Sequence, residues 1–451
     1  MSLTGALYLL SFAVALWFTL FRHASYGLYT YVALFYLNPQ ARWWGESLPD
    51  LRWSLFIGVA TLLASWRVPP VPGRTPWLST SPAKAMLLFA VWLWIQNFWA
   101  LDPAAHLDAS FLFTKYLLLY YLIYRLVVTP EDQWRFLLVH VAGCAYFGYL
   151  AFITPSSGRL EGVGGAGVNE ANAFAMQMST GVVVAAMLAL SAPGWRRWFA
   201  IATLPFMLNG IIHSGSRGGF LALIAGGMVL WYLKPHASRR LFYVFAVLGV
   251  MLFGVLARDP EFWERMQSME TAVGSHRDEM DDSALSRIAL VNAQWQMVRE
   301  YPLGAGHRGT AVLSPRYIED RFLAGPEGER RRASHNTFMT ALVEQGIPGA
   351  LIYAWWWLWT LRTVVRVRRG DARESKETED PRRVALLPAI AAALAVVFIA
   401  GMFVDYIKAE VQIWFWALLA SLWALRSSGQ PATASQRRPA GPAPAPAVRR
   451  A

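Results

Sequence analysis

The sequence predicts an all-α polytopic membrane protein of about twelve spans, and three observations predict it. Of 451 residues, 55% are apolar and only 16% charged, against about 25% charged in an ordinary soluble domain. Trp occurs 22 times and Phe 25 times, clustered beside apolar runs. Many of those runs approach the roughly 20 residues needed to cross about 30 Å of hydrocarbon. The mean hydropathy is only +0.32, so a sizeable water-facing part must dilute the spans.

The candidate runs are 3–21, 26–37, 53–66, 85–101, 107–127, 134–153, 171–192, 198–213, 218–233, 241–257, 335–361, 384–404 and 406–425. The run 26–37 is short, ends at Asn38-Pro39 and reads as a re-entrant or half-length partner of 3–21. Counting the two as one crossing gives twelve, with both termini inside. No basic n-region or cleavage site precedes the first run, which therefore reads as a retained helix and not a signal peptide. Loops beginning near Arg67, Arg125, Arg196, Lys234 and Arg362 carry 3, 2, 2, 3 and 8 Lys/Arg, and the C-terminal stretch from Arg426 carries 5. The alternate loops near Arg42, Arg159, Arg217 and Lys408 carry 2, 1, 1 and 1. The basic set faces the cytoplasm by the positive-inside rule.

Four parts follow: an N-terminal transmembrane bundle over 1–257, an outer helical segment over 258–334, C-terminal transmembrane helices over 335–426 containing a cytoplasmic loop at 362–383, and a tail over 427–451. The tail is rich in Pro, Ala and Arg, too poor in apolar residues to pack, and reads as disordered, with anionic membrane lipids as a contact. The outer segment, with 11 Arg and 13 Asp+Glu, is nearly neutral. The net charge of +12 is thus scattered between apolar runs. Nucleic-acid binding needs it gathered on one soluble face and is excluded. A single cysteine, Cys144, excludes an internal disulfide and cysteine-based chemistry. No P-loop or dinucleotide fingerprint is present.

Chemistry-bearing residues concentrate at outer junctions. Arg217 lies in Gly215-Ser216-Arg217-Gly218-Gly219, opening a helix. A cation there opposes the helix dipole unless an anion sits between them, and the bare N–H groups of a helix start suit phosphate. The competing explanation is an arginine snorkelling to the interface. His213 beside this turn either lines the site or meets water.

Ser334-His335-Asn336-Thr337 precedes Glu344-Gln345-Gly346-Ile347-Pro348-Gly349. Ser334 is a plausible N-cap, which would put His335 in the first helical turn. There the dipole and the preceding Arg330, Arg331 and Arg332 favour a neutral imidazole, a competent general base; a histidine that only anchors the helix is the alternative.

Within the outer segment, Asp281-Asp282-Ser283 reads as a helix start, with Arg287 in its first turn and Pro302, Gly304 and Gly306 at its end. Arg287 either pairs with Asp281 or Asp282 or serves as a second phosphate ligand facing Arg217, since two guanidinium forks suit a diphosphate. The Gly-rich loop from Gly158 to Asn169, containing Arg159, either grips a polar substrate or, the favoured reading, connects two spans flexibly. Asp405, with Lys408 and Glu410, reads as a local ion pair at an outer turn. No metal motif stands out.

Gly215 to Gly219, the Arg287 helix ending in Pro302-Leu303-Gly304-Ala305-Gly306, and His335-Asn336-Thr337-Phe338 through Gly346 and Gly349 together resemble the bacterial O-antigen ligase and polymerase superfamily, including the exosortase-associated O-glycosylation ligases. The resemblance implies a GT-C-like, metal-independent, cofactor-free inverting glycosyltransferase in the bacterial inner membrane. It would move a glycan from undecaprenyl diphosphate to a lipid A-core or related acceptor hydroxyl at the periplasmic face. Arg217 and Arg287 match the arginines expected to hold the diphosphate and His335 the catalytic histidine. Gly218, Arg159, Asn169, Arg332 and Asp405 are further candidates for substrate contact, Asp405 from a looser match. O-antigen polymerase and protein O-oligosaccharyltransferase are the neighbouring activities. A lipid-linked oligosaccharide flippase is the competing class.

Overall fold

The computed structural model describes residues 2–154, 160–165, 167–234, 243, 277–323, 331–371, 381–405 and 409–427. Among them there are helices and turns but no strand. The first half holds α1 (Leu3–Phe21), α2 (Ser25–Leu37), α3 (Trp53–Ser65), α4 (Ser81–Gln96), α5 (Pro103–Leu126), α6 (Pro130–Ile153), α7 (Ala171–Ser191), α8 (Trp195–Ser214) and α9 (Arg217–Leu233). The second holds α10 (Arg277–Glu300), α11 (Gly309–Tyr317), α12 (Thr337–Glu344), α13 (Gly346–Asp371), α14 (Pro381–Ala400) and α15 (Glu410–Ser427).

Local chemistry sets many starts. Asp102 caps α5 through the Ala105 N–H, with Pro103 at the first position. Thr129 and Asp132 close a capping box around Pro130 on α6, satisfying backbone donors that a helix start leaves open.

Every apolar run except 241–257 overlaps a described helix, and that run falls outside the described residues apart from Tyr243. Among the described residues, the helices long and apolar enough by length and composition to cross a membrane are α1, α6 and α7, with α3, α9 and the Val384–Ala400 part of α14 as shorter apolar helices. Two of the expected crossings differ locally from the sequence reading. At about 1.5 Å rise per residue, the 13 residues of α3 fall short of the hydrocarbon thickness. The run 335–361, expected to be one helix, breaks at Gln345-Gly346 into α12 and α13. Of the outer segment, 258–276 and 324–330 lie outside the described residues, as do 372–380 and 428–451.

The centre of the bundle is α7, buried at nearly every residue from Ala171 to Leu190 and packed against α6, α8, α9 and α14. On its flank α15 is buried from Val411 to Leu422 and packs on α5, α13 and α14. The described outer segment has a small core of its own. Leu290, Ala293, Met297 and Val298 of α10 meet Leu313 of α11 and Val343 of α12.

Connections sort into two groups. Arg42 donates to the Val163 carbonyl, Leu160 N–H to His213, Leu101 N–H to Ala305 and Thr337 N–H to Gly401. This joins the loops expected outside. At the other group, Arg67 donates to Leu20, Arg125 to Val68 and Arg74 to Tyr124 and Ser421, while Arg196 pairs with Glu131. These are the loops the charge pattern assigns to the cytoplasm.

Two glycine turns lock α12 in place. Ala305 and Gly306 N–H donate to Val343 and Glu344, and Ile347 N–H donates to Pro302. Gln96 donates to Leu303 and Glu344, Trp92 to Gln345 and Trp99 to Gly304. Gly304 and Gly346 have φ of +88° and +68°, and a Cβ on Gly346 would lie 2.3 Å from the Leu303 carbonyl carbon. Gly346→Ala should therefore cost on the order of 1–3 kcal/mol and visibly lower the melting temperature of the detergent-purified protein. Gly227→Ala, where a Cβ meets nothing within 4 Å, should leave it unchanged or higher.

Candidate functional site

The Arg217 turn is built on Ser216. Its hydroxyl accepts the Gly219 N–H at 3.0 Å and donates to Asn172 Oδ1 at 2.7 Å, so the start of α9 is fixed to the start of α7. Asn172 Nδ2 in turn donates to the Phe403 carbonyl at 3.4 Å. Gly218 is buried, and a Cβ there would lie 2.7 Å from the Phe403 ring. Its missing side chain thus serves close packing on residues 401–405, while Arg217 stays exposed.

The same short loop receives the His335 segment from the other side. Thr337 donates its N–H to Gly401 and its hydroxyl to Val404, both at 2.7 Å. The Thr340 hydroxyl donates to Asp405. Loop 401–405 therefore brings the Arg217 turn and His335 against one piece of backbone.

The helix cap differs from expectation. Asn336, not Ser334, caps α12, with its Oδ1 accepting Phe338 and Met339 N–H at 3.0 and 3.1 Å. His335 lies ahead of the cap, exposed, with φ +49°. The dipole argument made for a first-turn histidine does not apply to it. Ser334 is instead an anchor: its Oγ accepts from Gln294 of α10 at 2.6 Å and donates to the Asn336 carbonyl at 3.1 Å. A left-handed non-glycine residue costs on the order of 1–3 kcal/mol and persists only where its surroundings over-determine it. Ser334 and Thr337, both buried and bonded, supply that determination.

Two carboxylates back the histidine. Burial pushes the Asp405 carboxyl above its ordinary range and nearby Glu344 pushes the same way, while the Thr340 hydroxyl and His335 oppose them. Glu344 is buried, one turn beyond Thr340 on α12, with Oε2 3.1 Å from His307 Nδ1. The His307 N–H donates to His106 Nδ1 at 2.8 Å, so His106 donates from Nε2 to the Leu93 carbonyl, 2.9 Å away. Asp405 is bonded to α12 through Thr340, and Lys408, its expected local partner, lies outside the described residues. Among the described residues no group of three or more His, Cys, Asp or Glu is placed to hold a metal ion.

The other candidates fall less centrally. Arg287 lies well inside α10, which begins at Arg277 and not at Asp281, so it is not a first-turn cation. Its side chain lies outside the described residues, as does Arg159. Arg332 donates its N–H to Ser314 at 2.8 Å and Nη1 to the Phe322 carbonyl at 2.9 Å, which ties the segment before His335 to α11. Asn169 is exposed, and its carbonyl accepts the Gly162 N–H at 2.9 Å. Leu160, Val163 and Val168 of the described part of this loop are buried.

Sequence reasoning missed Asn172, His307, Thr340 and the role of Glu344. Part of the signal was present: Thr337, Thr340 and Glu344 recur at helical spacing on one face of α12.

Residues 202–354 match a family model described as O-antigen ligase. Over that stretch the chain is similar to the O-antigen ligase and polymerase superfamily, as the sequence motifs suggested. The match contains Arg217, Arg287 and His335, while Asp405 lies beyond it. No curated protein matches the chain.

Removing the cap should loosen the site without touching its chemistry. Asn336→Ala is expected to cost about 1 kcal/mol, and hydrogen exchange should rise in residues 337–340 more than in α7.

Proposed function

From a match that spans both the Arg217 turn and the His335 segment, we propose that the chain is an O-antigen ligase-type glycosyltransferase. It transfers a glycan from undecaprenyl diphosphate to a lipid A-core or related envelope acceptor at the periplasmic face of the inner membrane. The observation that carries the reading is the shared support of the two elements. Gly218 and Thr337 both pack or bond onto loop 401–405, which lets one substrate meet a guanidinium and an imidazole together.

In this reading His335 takes the proton of the acceptor hydroxyl as its oxygen bonds to the anomeric carbon. The bond from that carbon to the diphosphate oxygen breaks, and its electron pair leaves with the diphosphate. Arg217 and Arg287 neutralise the charge that grows there, so the leaving group needs neither a proton nor a metal ion. The anomeric configuration inverts in a single displacement.

Purified protein incubated with lipid-diphosphate glycan and lipid A-core should yield the joined mass, undiminished in EDTA. His335→Ala should lower kcat by about 10²–10⁴ with donor still bound, and Arg217→Ala should weaken donor binding as well. Glycan extended on the lipid carrier would identify a polymerase, and transbilayer movement without a new glycosidic bond a flippase. An unchanged rate in His335→Ala would overturn the mechanism.

A further inference from the structure

The last residue of α12 belongs to a polar cluster that the transfer reaction leaves unused. Glu344 is buried, and its Oε2 lies 3.1 Å from Nδ1 of His307, whose side chain is 35% exposed. Beside a carboxylate oxygen Nδ1 is the donor, and Nε2 has no partner among the described residues. The ring is thus held at one end and open at the other. Its backbone is fixed as firmly, since the His307 N–H donates to buried His106 at 2.8 Å and the Gly306 N–H to the Glu344 carbonyl at 2.9 Å.

Trp99, Asp102 and Arg308 share this surface with His307. The Leu101 N–H donates to Ala305 at 2.9 Å and Trp99 Nε1 to Gly304 at 3.0 Å, so the loop after α4 and the loop after α10 are joined. Arg308 approaches Asp102 at 3.9 Å, too far for a hydrogen bond, and its side chain is 53% exposed. Its φ is +62°, a conformation in which Gly or Asn would be at ease. An arginine kept there against strain points to a use for its side chain.

We propose that Trp99, Asp102, His307 and Arg308, with Glu344 holding the His307 ring, form a saccharide subsite for sugar units of a substrate remote from the bond being made. This rests on the reading of the chain as a glycosyltransferase. The chemistry of the surface selects the class. A tryptophan face beside a few fixed polar groups is the usual make-up of a small-molecule site. Two carboxylates, one guanidinium and one imidazole gather no excess of positive charge, which suits hydroxyls, each both donor and acceptor, better than a diphosphate. Lipid contact at the interface would account for Trp99. It would not account for a costly buried carboxylate that orients a part-exposed imidazole. The position fits as well: His335 precedes α12, Glu344 ends it, and its eight residues rise about 12 Å. A chain of sugars bridges that span, and a single sugar does not.

Substrate length therefore separates this subsite from the reaction centre. His307→Gln keeps a donor for Glu344, and Arg308→Gln alters an exposed side chain whose long pair with Asp102 adds little to stability. With a lipid diphosphate carrying several sugars, each variant should raise the donor KM several-fold at unchanged kcat. With a lipid diphosphate carrying one sugar, each should match wild type. The same split seen in the KM for lipid A-core, and lost when its core is cut back to the sugars nearest lipid A, would assign the subsite to the acceptor. A fall in kcat alone, or an equal effect on long and short substrates, would overturn the inference. Binding is also read without turnover, by saturation-transfer NMR of the full-length protein with glycan cleaved from its carrier or core oligosaccharide cleaved from lipid A. Wild type should contact one of these sugars and both variants should weaken that contact. Contact with neither, or contact unchanged in both variants, would overturn the subsite. If wild type joins no glycan to any acceptor, the ligase reading fails, and the NMR contact still decides whether this surface binds sugar.

Discussion

Backbone hydrogen bonding in apolar surroundings is the constraint on which this molecule depends. A helix that ends inside a bundle leaves carbonyls that water cannot reach, and each must find a partner. The eight-residue α12 ends in this way, and the turn from Pro302 to Gly306 supplies the donors. The turn enters because Gly304 and Gly346 carry no side chain where their backbones touch, 2.5 Å being all that a Cβ on Gly304 would have from the Gly346 nitrogen. Gln96 and Trp92 complete the set from the end of α4. Two sequence motifs far apart in the chain are thus one structural object.

From that lock the site follows. With its far end fixed, α12 aims its cap at loop 401–405, and the cap places His335 between two anchored neighbours. The loop is pinned from the opposite side by Gly218 and Asn172. Strain at His335 is therefore held by bonds that do not involve its imidazole, which stays exposed for contact with substrate. Rigid support of a reacting group by neighbours outside the reaction is what preorganisation requires.

The three motifs were legible in the sequence because each breaks a local rule: an arginine opening a helix, glycine turns inside an apolar chain, and a histidine next to a cap. The cap itself was misplaced. Ser334 and Asn336 are both good N-cap residues, and only the bond from Gln294 shows that Ser334 is engaged elsewhere. Asp405 was legible as a carboxylate at a turn but not as the partner of α12, because its bonds reach back 65 residues to Thr340. Glu344 read as part of a helix end for the same reason.

Composition and the spacing of apolar runs determined by themselves that the chain is helical and membrane-like, and that its loops fall into two charge classes. Those are properties of solvation and period, which act on each segment where it stands. Which glycines meet, which residue caps α12, and that Asp405 and Glu344 stand behind His335 were decided only by tertiary structure. Such contacts join segments that no local periodicity relates, and close packing with satisfied backbone groups selects among them.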